Sequence, residues 1–333
     1  MSTATQAETR TSGFDLGAFV KKYAIIGILL LFIVALALLT GGNFLQPQNL
    51  VNVIRQVSAI GIIAVGMTFV IIAKGIDLSV GSILGLSAVV SASLVQMPGA
   101  SNSLFPNLSL PPIAGVAAGL AVGAALGLIN GSLIAGFKIA PFIATLGMMT
   151  AARGLALIYT GGRPLSKLNP AFNWIGQGDI FGLPVPIIIL AVVAVAGHLM
   201  LTRTRFGRHV FAYGGNEQAA RVSGINISRI MLGIFTMIGM LAGLAGIILA
   251  ARIGSGNPQL GIGIELDVIT AAVIGGTSFN GGLGTIWGTI VGALIIGIIN
   301  NGLDLMNVSP FLQQVVKGVI IVAAIVIDER KNR

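Results

Sequence analysis

Continuous apolar stretches, most of them about 18–25 residues long, recur from Tyr23 almost to the end of this chain. The hydrocarbon core of a bilayer is about 30 Å thick and takes roughly 20 residues of helix to cross. A transmembrane barrel strand instead alternates in character over about ten residues. The runs here do not alternate, so the reading is an all-α polytopic membrane protein. Charged residues make up only 9% of the chain and hydrophobic ones 55%. A soluble domain carries about 25% charged residues, and a surface this poor in charge needs lipid around it.

Ten spans are expected, at 23–41, 57–73, 80–97, 112–136, 141–159, 183–201, 229–251, 266–278, 284–303 and 311–327. The eighth is too short to cross alone. Glycine, at 47 of 333 residues, suits helices that pack closely against one another. The first span is too long for a signal-peptide core and no A-x-A site follows it. The chain therefore divides into an N-terminal tail (1–22), one transmembrane domain (23–327) containing a polar loop (202–228), and a short C-terminal tail (328–333).

Net charge is +9. In this setting the basic residues orient the chain, and a nucleic-acid partner is not expected. With the N-terminus inside, Arg10, Lys21, Lys22, Lys74, Lys138, Arg203, Arg205, Arg208, Arg221, Arg229, Arg330, Lys331 and Arg333 fall in the cytoplasm. Both termini and the loop after span 6 are then cytoplasmic.

Two markers recur in the same order. "GIDLSVGSILGLS" from Gly75 is matched by "GIELDVITAAVIGG" from Gly263, and "GLINGSLIAGFKIAPF" by "GIINNGLDLMNVSPF". Spans 2–5 and 7–10 form a duplicated unit. Five spans separate the copies, so they enter from opposite sides, the inverted repeat found in many transporters.

Polar residues within these apolar surroundings are candidates for a solute path or gate. Asp77 and Glu265 match each other in the repeat; they either cap the helix that follows or line the path. Arg153 sits inside a span and must face protein or water. Lys317, near a span end, has snorkelling open to it as well. Asn130 and Asn300 interrupt their spans and serve helix–helix hydrogen bonding or contact with solute. The stretch "TGGRPLSKLNPAFNWIGQGDIFG" is long enough to form a small surface element or a docking surface for a soluble partner.

Catalytic chemistry is missing. "GSLIAGFK" lacks the Gly-Lys pair and hydroxyl of a nucleotide loop, so ATP and Mg are not expected to bind this chain. His198 and His209 have no acid cluster beside them for a metal, and there is no cysteine.

The loop after span 6 contains "YGGNEQAARVSGINISR". Asn216 is placed to cap a helix running from Glu217, with Gly224 as its stop. A helix of about two turns is marginal alone in water and implies a docking partner.

Together with "RGLALIYTGGRP" and "VIGGTSFNGGLGTIWGTIVGALIIGIINNGL", the pattern A-x-G-x-N-x-x-A-A-x-x-S-G-I over Ala212–Ile225 resembles the permease subunits of bacterial ABC sugar importers, the ribose/xylose/galactose branch. The resemblance spans about residues 45–330. It implies a homodimer in the bacterial inner membrane, with the path between two copies. It also implies a separate ATPase pair docked on the cytoplasmic loop and a periplasmic sugar-binding protein. ATPase contact would fall on Asn216, Glu217, Ala219, Ala220, Arg221, Ser223 and Gly224, with Glu217 or Arg221 pairing with charge on the ATPase. The competing readings are a permease for another polar solute (nucleoside, polyol or branched-chain amino acid), a secondary transporter, and an intramembrane enzyme.

Overall fold

The computed structural model describes residues 16–331, apart from Ser101 and Asn107. The start of the expected N-terminal tail and the last two residues of the C-terminal one lie outside the described residues.

Among the described residues, thirteen α-helices follow in order. They are α1 (Leu16–Leu39), α2 (Pro47–Ile72), α3 (Val80–Leu94), α4 (Pro112–Phe137), α5 (Pro141–Thr160), α6 (Pro170–Gln177), α7 (Val185–Arg203), α8 (Arg205–Gly215), α9 (Glu217–Val222), α10 (Ile227–Ile253), α11 (Ile264–Ile274), α12 (Ile286–Leu305) and α13 (Pro310–Lys331). Proline opens α2, α4, α5, α6 and α13, where its missing N–H costs no helical bond. Gly161 and Gly254, both at positive φ, end α5 and α10.

Every expected span corresponds to a helix. Six of the described helices are long and apolar enough to cross a bilayer. The helix at span 1 begins at Leu16, seven residues early, because the chain stays helical through Lys21 and Lys22. The helix at span 10 likewise continues to Lys331, so the expected C-terminal tail is largely helical. At span 8, α11 has 11 residues, which at about 1.5 Å each cover only half the hydrocarbon thickness. The polar stretch after α5 folds into α6 and a two-stranded hairpin, β1 (Asp179–Ile180) and β2 (Leu183–Pro184).

The two halves pack as an inverted repeat should. α4 lies along α10, and α12 lies along α2. α3 packs on α10 as α11 packs on α2; α3 touches α4 and α5 as α11 touches α12 and α13. The axis of this pseudo-symmetry runs between α2 and α10, which form the centre. Of their apolar stretches 83% and 72% are buried, against 22% in α4 and in α5. The outer helices turn large apolar side chains outward, among them Leu38, Ile158, Val192 and Phe311, as a lipid-facing surface requires.

Glycine builds the α4–α10 seam. Gly119, Gly123, Gly127 and Gly131 recur every fourth residue, forming one stripe on α4. A Cβ on Gly127 would lie 2.2 Å from the Phe235 carbonyl oxygen, and one on Gly123 2.3 Å from that of Gly239. The backbones meet directly, the way helices associate where lipid supplies no hydrophobic drive.

Candidate functional site

Two places concentrate the polar side chains: the α8–α9 corner on one face, and the region where α3 and α11 begin.

At the corner, the Asn216 side chain accepts from the Ala219 N–H at 3.0 Å and caps α9. Gly224, at φ +77°, terminates it in a conformation that a β-carbon disfavours. Glu217 and Arg221 pair with each other across one turn at 2.6 Å, rather than standing free. Asn216, Glu217, Ala219, Arg221, Ser223 and Gly224 are exposed, whereas Ala220 is buried against its own chain, so of the expected contact residues it alone faces inward. A hollow of about 290 Å³ separates α9 from the α4–α5 corner at Lys138–Pro141.

Reading the loop as one short helix missed α8. Its arginines and histidine alternate with Phe206, Val210 and Phe211 over three turns, the signal that was available. The end of α8 is held tightly. A Cβ on Gly214 would lie 1.8 Å from the Ile72 carbonyl, which itself accepts from the Gly282 N–H at 2.9 Å. The corner therefore rests on two things: the end of α2 and the segment that precedes α12.

The second place is made by two broken spans. After α2, residues 75–79 carry no regular structure before α3 starts; after α10, residues 254–263 fold back before α11 starts. The two beginnings meet: a Cβ on Gly81 would lie 2.2 Å from the Gly261 oxygen, and one on Gly261 2.4 Å from that of Gly81. Arg153 of α5 fastens this junction. Its guanidinium donates to the carbonyls of Pro258, Leu260 and Gly81, and so ties both halves. Glu265 accepts from the Gly263 N–H at 3.2 Å, with the Arg153 charge nearby. Negative side chains at these helix starts complement the dipoles.

The matched residues of the repeat make matched bonds. Asn130 Nδ2 donates to Ser79 Oγ at 2.9 Å; Asn300 Nδ2 donates to Asp267 Oδ2 at 3.2 Å. Ser79 and Asp267 occupy the same repeat position. Asp77 Oδ1 accepts from the Ser79 N–H at 2.8 Å and from the Ser79 hydroxyl, a local turn just ahead of α3 and not a cap bond to the helix itself. Thr145 of α5 pins this segment by accepting from the Leu78 N–H. Asp77, Asn130 and Asn300 are all buried, so in this conformation they fasten helices and line no open path.

Asp267 was not among the expected path residues. It is buried, and Lys317 donates to its Oδ2 at 2.9 Å, so Lys317 faces protein and does not snorkel. A separation of 50 positions hides the pair from any local motif.

A family signature described as "Branched-chain amino acid transport system / permease component" matches residues 49–325. The chain belongs to this permease family. It is 44% identical over 309 residues to the ribose import permease protein RbsC of Escherichia coli (strain K12), covering 92% of this chain and 93% of the relative. Against RbsC of Bacillus subtilis (strain 168) the identity is also 44%, over 98% of each chain. The galactose/methyl galactoside import permease protein MglC of Haemophilus influenzae (strain ATCC 51907 / DSM 11121 / KW20 / Rd) is 39% identical over 97% of each. No solved structure matches. This permease is thus a multi-pass transport component and not itself a catalyst, in a family that works with an ATPase and a periplasmic binding protein.

Proposed function

We propose that this chain is the membrane-spanning subunit of an ATP-driven importer that carries a monosaccharide, ribose or a related sugar, across the bacterial inner membrane. Two copies form the complex and both termini are cytoplasmic. A periplasmic sugar-binding protein meets the face that carries α6 and the hairpin. A separate ATPase pair binds ATP and Mg and docks on the α9 face through Asn216, Glu217, Ala219, Arg221, Ser223 and Gly224. Ala220 supports that surface from below.

The observation that carries this reading is the seating of the α8–α9 corner on Ile72 and Gly282. A push on α9 reaches the break between α2 and α3 through Ile72, and α12 through the segment around Gly282. Both lead to the junction held by Arg153, where Glu265, Asp77, Asn130 and Asn300 stand at or beside the broken spans. Rearrangement of that junction is the gating step, and the ATPase supplies the free energy.

The test is co-purification in mild detergent. The unmodified chain should bring down an ATPase subunit, and a Gly224→Asp, Glu217→Lys variant should lose it while remaining folded. An unmodified chain that purifies alone under conditions preserving a known complex, and whose uptake follows a proton or sodium gradient, would establish a secondary transporter instead.

A further inference from the structure

The two halves of the internal repeat differ in charge at two positions that meet in the fold. Ser79 and Met148 in the first half correspond to Asp267 and Lys317 in the second, counting Met148 and Lys317 each seven residues from the proline that opens its helix. The first half makes the same helix junction with no ion pair there. A buried ion pair is weak evidence of stability, because desolvation offsets the attraction. Charges kept in a membrane helix bundle are by default functional.

Asp267 stands in the wall of a cavity of about 360 Å³, at the low end of the range that holds small ligands. Gln56 and Arg252 line it with Asp267, and Leu249, Ile262 and Ile264 supply apolar surface. Asp267 Oδ2 is taken by Asn300 and Lys317, while no protein group engages Oδ1 among the described residues. The side chains of Gln56 and Arg252 form no hydrogen bond within the protein, again among the described residues. The cavity thus presents an acceptor, a five-donor cation and an amide that does both. Lys317 already meets the Asp267 charge, so Arg252, with Arg55 nearby, leaves the cavity on the positive side.

We propose that this cavity binds the sugar during its passage. Asp267 Oδ1 accepts hydrogen bonds from sugar hydroxyls, Arg252 and Gln56 donate to sugar oxygens, and the apolar residues cover the C–H face. Lys317 is a positioning residue that fixes the carboxylate. The inference rests on the importer reading above and names the solute contacts that reading lacks.

The chain has no cysteine, so single cysteines report directly. Gln56→Cys and Ile264→Cys would be placed in the full complex with its ATPase and binding protein, in proteoliposomes. Each is treated with a water-soluble methanethiosulfonate, and uptake of radiolabelled D-ribose, D-galactose and L-leucine is followed. Modification should reduce ribose or galactose uptake about tenfold or more, the equivalent of one lost contact, and the transported sugar should slow modification. Phe105→Cys, exposed in the α3–α4 connection, controls for access of the reagent.

A second arm transplants the first half: Asp267→Ser with Lys317→Met. KM for the sugar should rise about tenfold to a hundredfold, as for a lost hydrogen bond to a charged group, with the melting temperature preserved. Modified cysteines that leave sugar uptake intact and gain no protection, or cysteines that no reagent reaches, would overturn the cavity assignment and leave the importer reading standing. Unmodified complex that takes up leucine and neither sugar would overturn the importer reading for sugars itself.

Discussion

In the first repeat, α2–α5, Ser79 holds the junction of the broken span with an amide and the Asp77 carboxylate; in the second, α10–α13, Asp267 is itself the carboxylate, held by an amide and a lysine. The backbone geometry is shared, since Asn130 and Asn300 reach the same repeat position from equivalent helices. The carboxylates differ in company. Glu265 lies near Arg153 and Asp267 is paired with Lys317, whereas no lysine or arginine forms an ion pair with Asp77 among the described residues. The fold therefore asks for a hydrogen-bond acceptor at this position and does not ask for charge. What the second half adds is a paired charge, the feature on which the proposed sugar cavity rests.

The shared part of the comparison should break most violently. Gly127→Leu would force a side chain into the Phe235 carbonyl, and Gly292→Leu into that of Ala271, where a Cβ alone would lie at 2.2 Å and 2.0 Å. Neither neighbour is a flexible side chain that can swing away. Each substitution should exceed about 3 kcal/mol, the upper part of the usual overpacking range. No monodisperse protein should then be recovered by size exclusion. Gly136→Leu on the same α4, where nothing lies within 4 Å, should behave as the unmodified chain. If the two seam variants fold normally, the close backbone packing that defines the repeat is not present in the membrane.

The unshared part comes next. Lys317→Met leaves the Asp267 carboxylate buried without its cation, which costs about 3–5 kcal/mol. The corresponding change in the first half, Met148→Leu, preserves volume and should cost less than about 1.5 kcal/mol. Melting in detergent should separate the two clearly, and adding Asp267→Ser to Lys317→Met should recover most of the loss. Equal melting temperatures for the two single variants would mean that the two halves do not differ in the way described.

The amides sharpen the same contrast on a smaller scale. Asn300→Ala removes a hydrogen bond to a charged acceptor, worth about 1.5–3 kcal/mol, and Asn130→Ala one to a hydroxyl, worth about 0.5–1.5 kcal/mol. Asn300→Ala should therefore lower the melting temperature more. The reverse order would place the heavier burden on Asp77 and Ser79.

Much of this architecture is legible in the residues. Apolar runs near the length of a bilayer announce their helices, and the duplicated G-I-acid-L-x-V markers announce the repeat. Asn216 and Gly224 frame α9 by local chemistry alone, so its ends could be read without tertiary information. α8 carries a readable amphipathic pattern of its own, but its seat depends on contact with Ile72. The Arg153 clamp was hidden. Its acceptors are backbone carbonyls, which leave no mark on sequence identity. Asp267 and Lys317 are both visible as polar residues, but only the fold brings α11 and α13 together. Local signals thus gave the pieces, while the pairings that define the candidate site are long-range.

The smallest expected effect concerns α9, which has no counterpart in the repeat. Asn216→Ala should cost about 1 kcal/mol of cap, and the Glu217–Arg221 pair contributes only about 0.2–0.5 kcal/mol. These amounts leave the whole protein's melting temperature nearly unchanged, because the bundle does not depend on α9. Coupling should respond far more. Exchanging the pair, Glu217→Arg with Arg221→Glu, keeps an ion pair within the helix but reverses the charge pattern that α9 shows outward. If those charges matter only to α9 itself, ATP-driven uptake by the complex should survive the exchange. If the ATPase reads them, uptake should fall while ATP hydrolysis by the free ATPase is unaltered. Measuring sugar delivered per ATP hydrolysed separates a weakened helix from a lost interface, since a frayed α9 lowers both association and coupling in the Asn216→Ala variant too. Loss in the exchange variant with retention in Asn216→Ala would locate recognition in the charges; the opposite pattern would locate it in the shape of the helix.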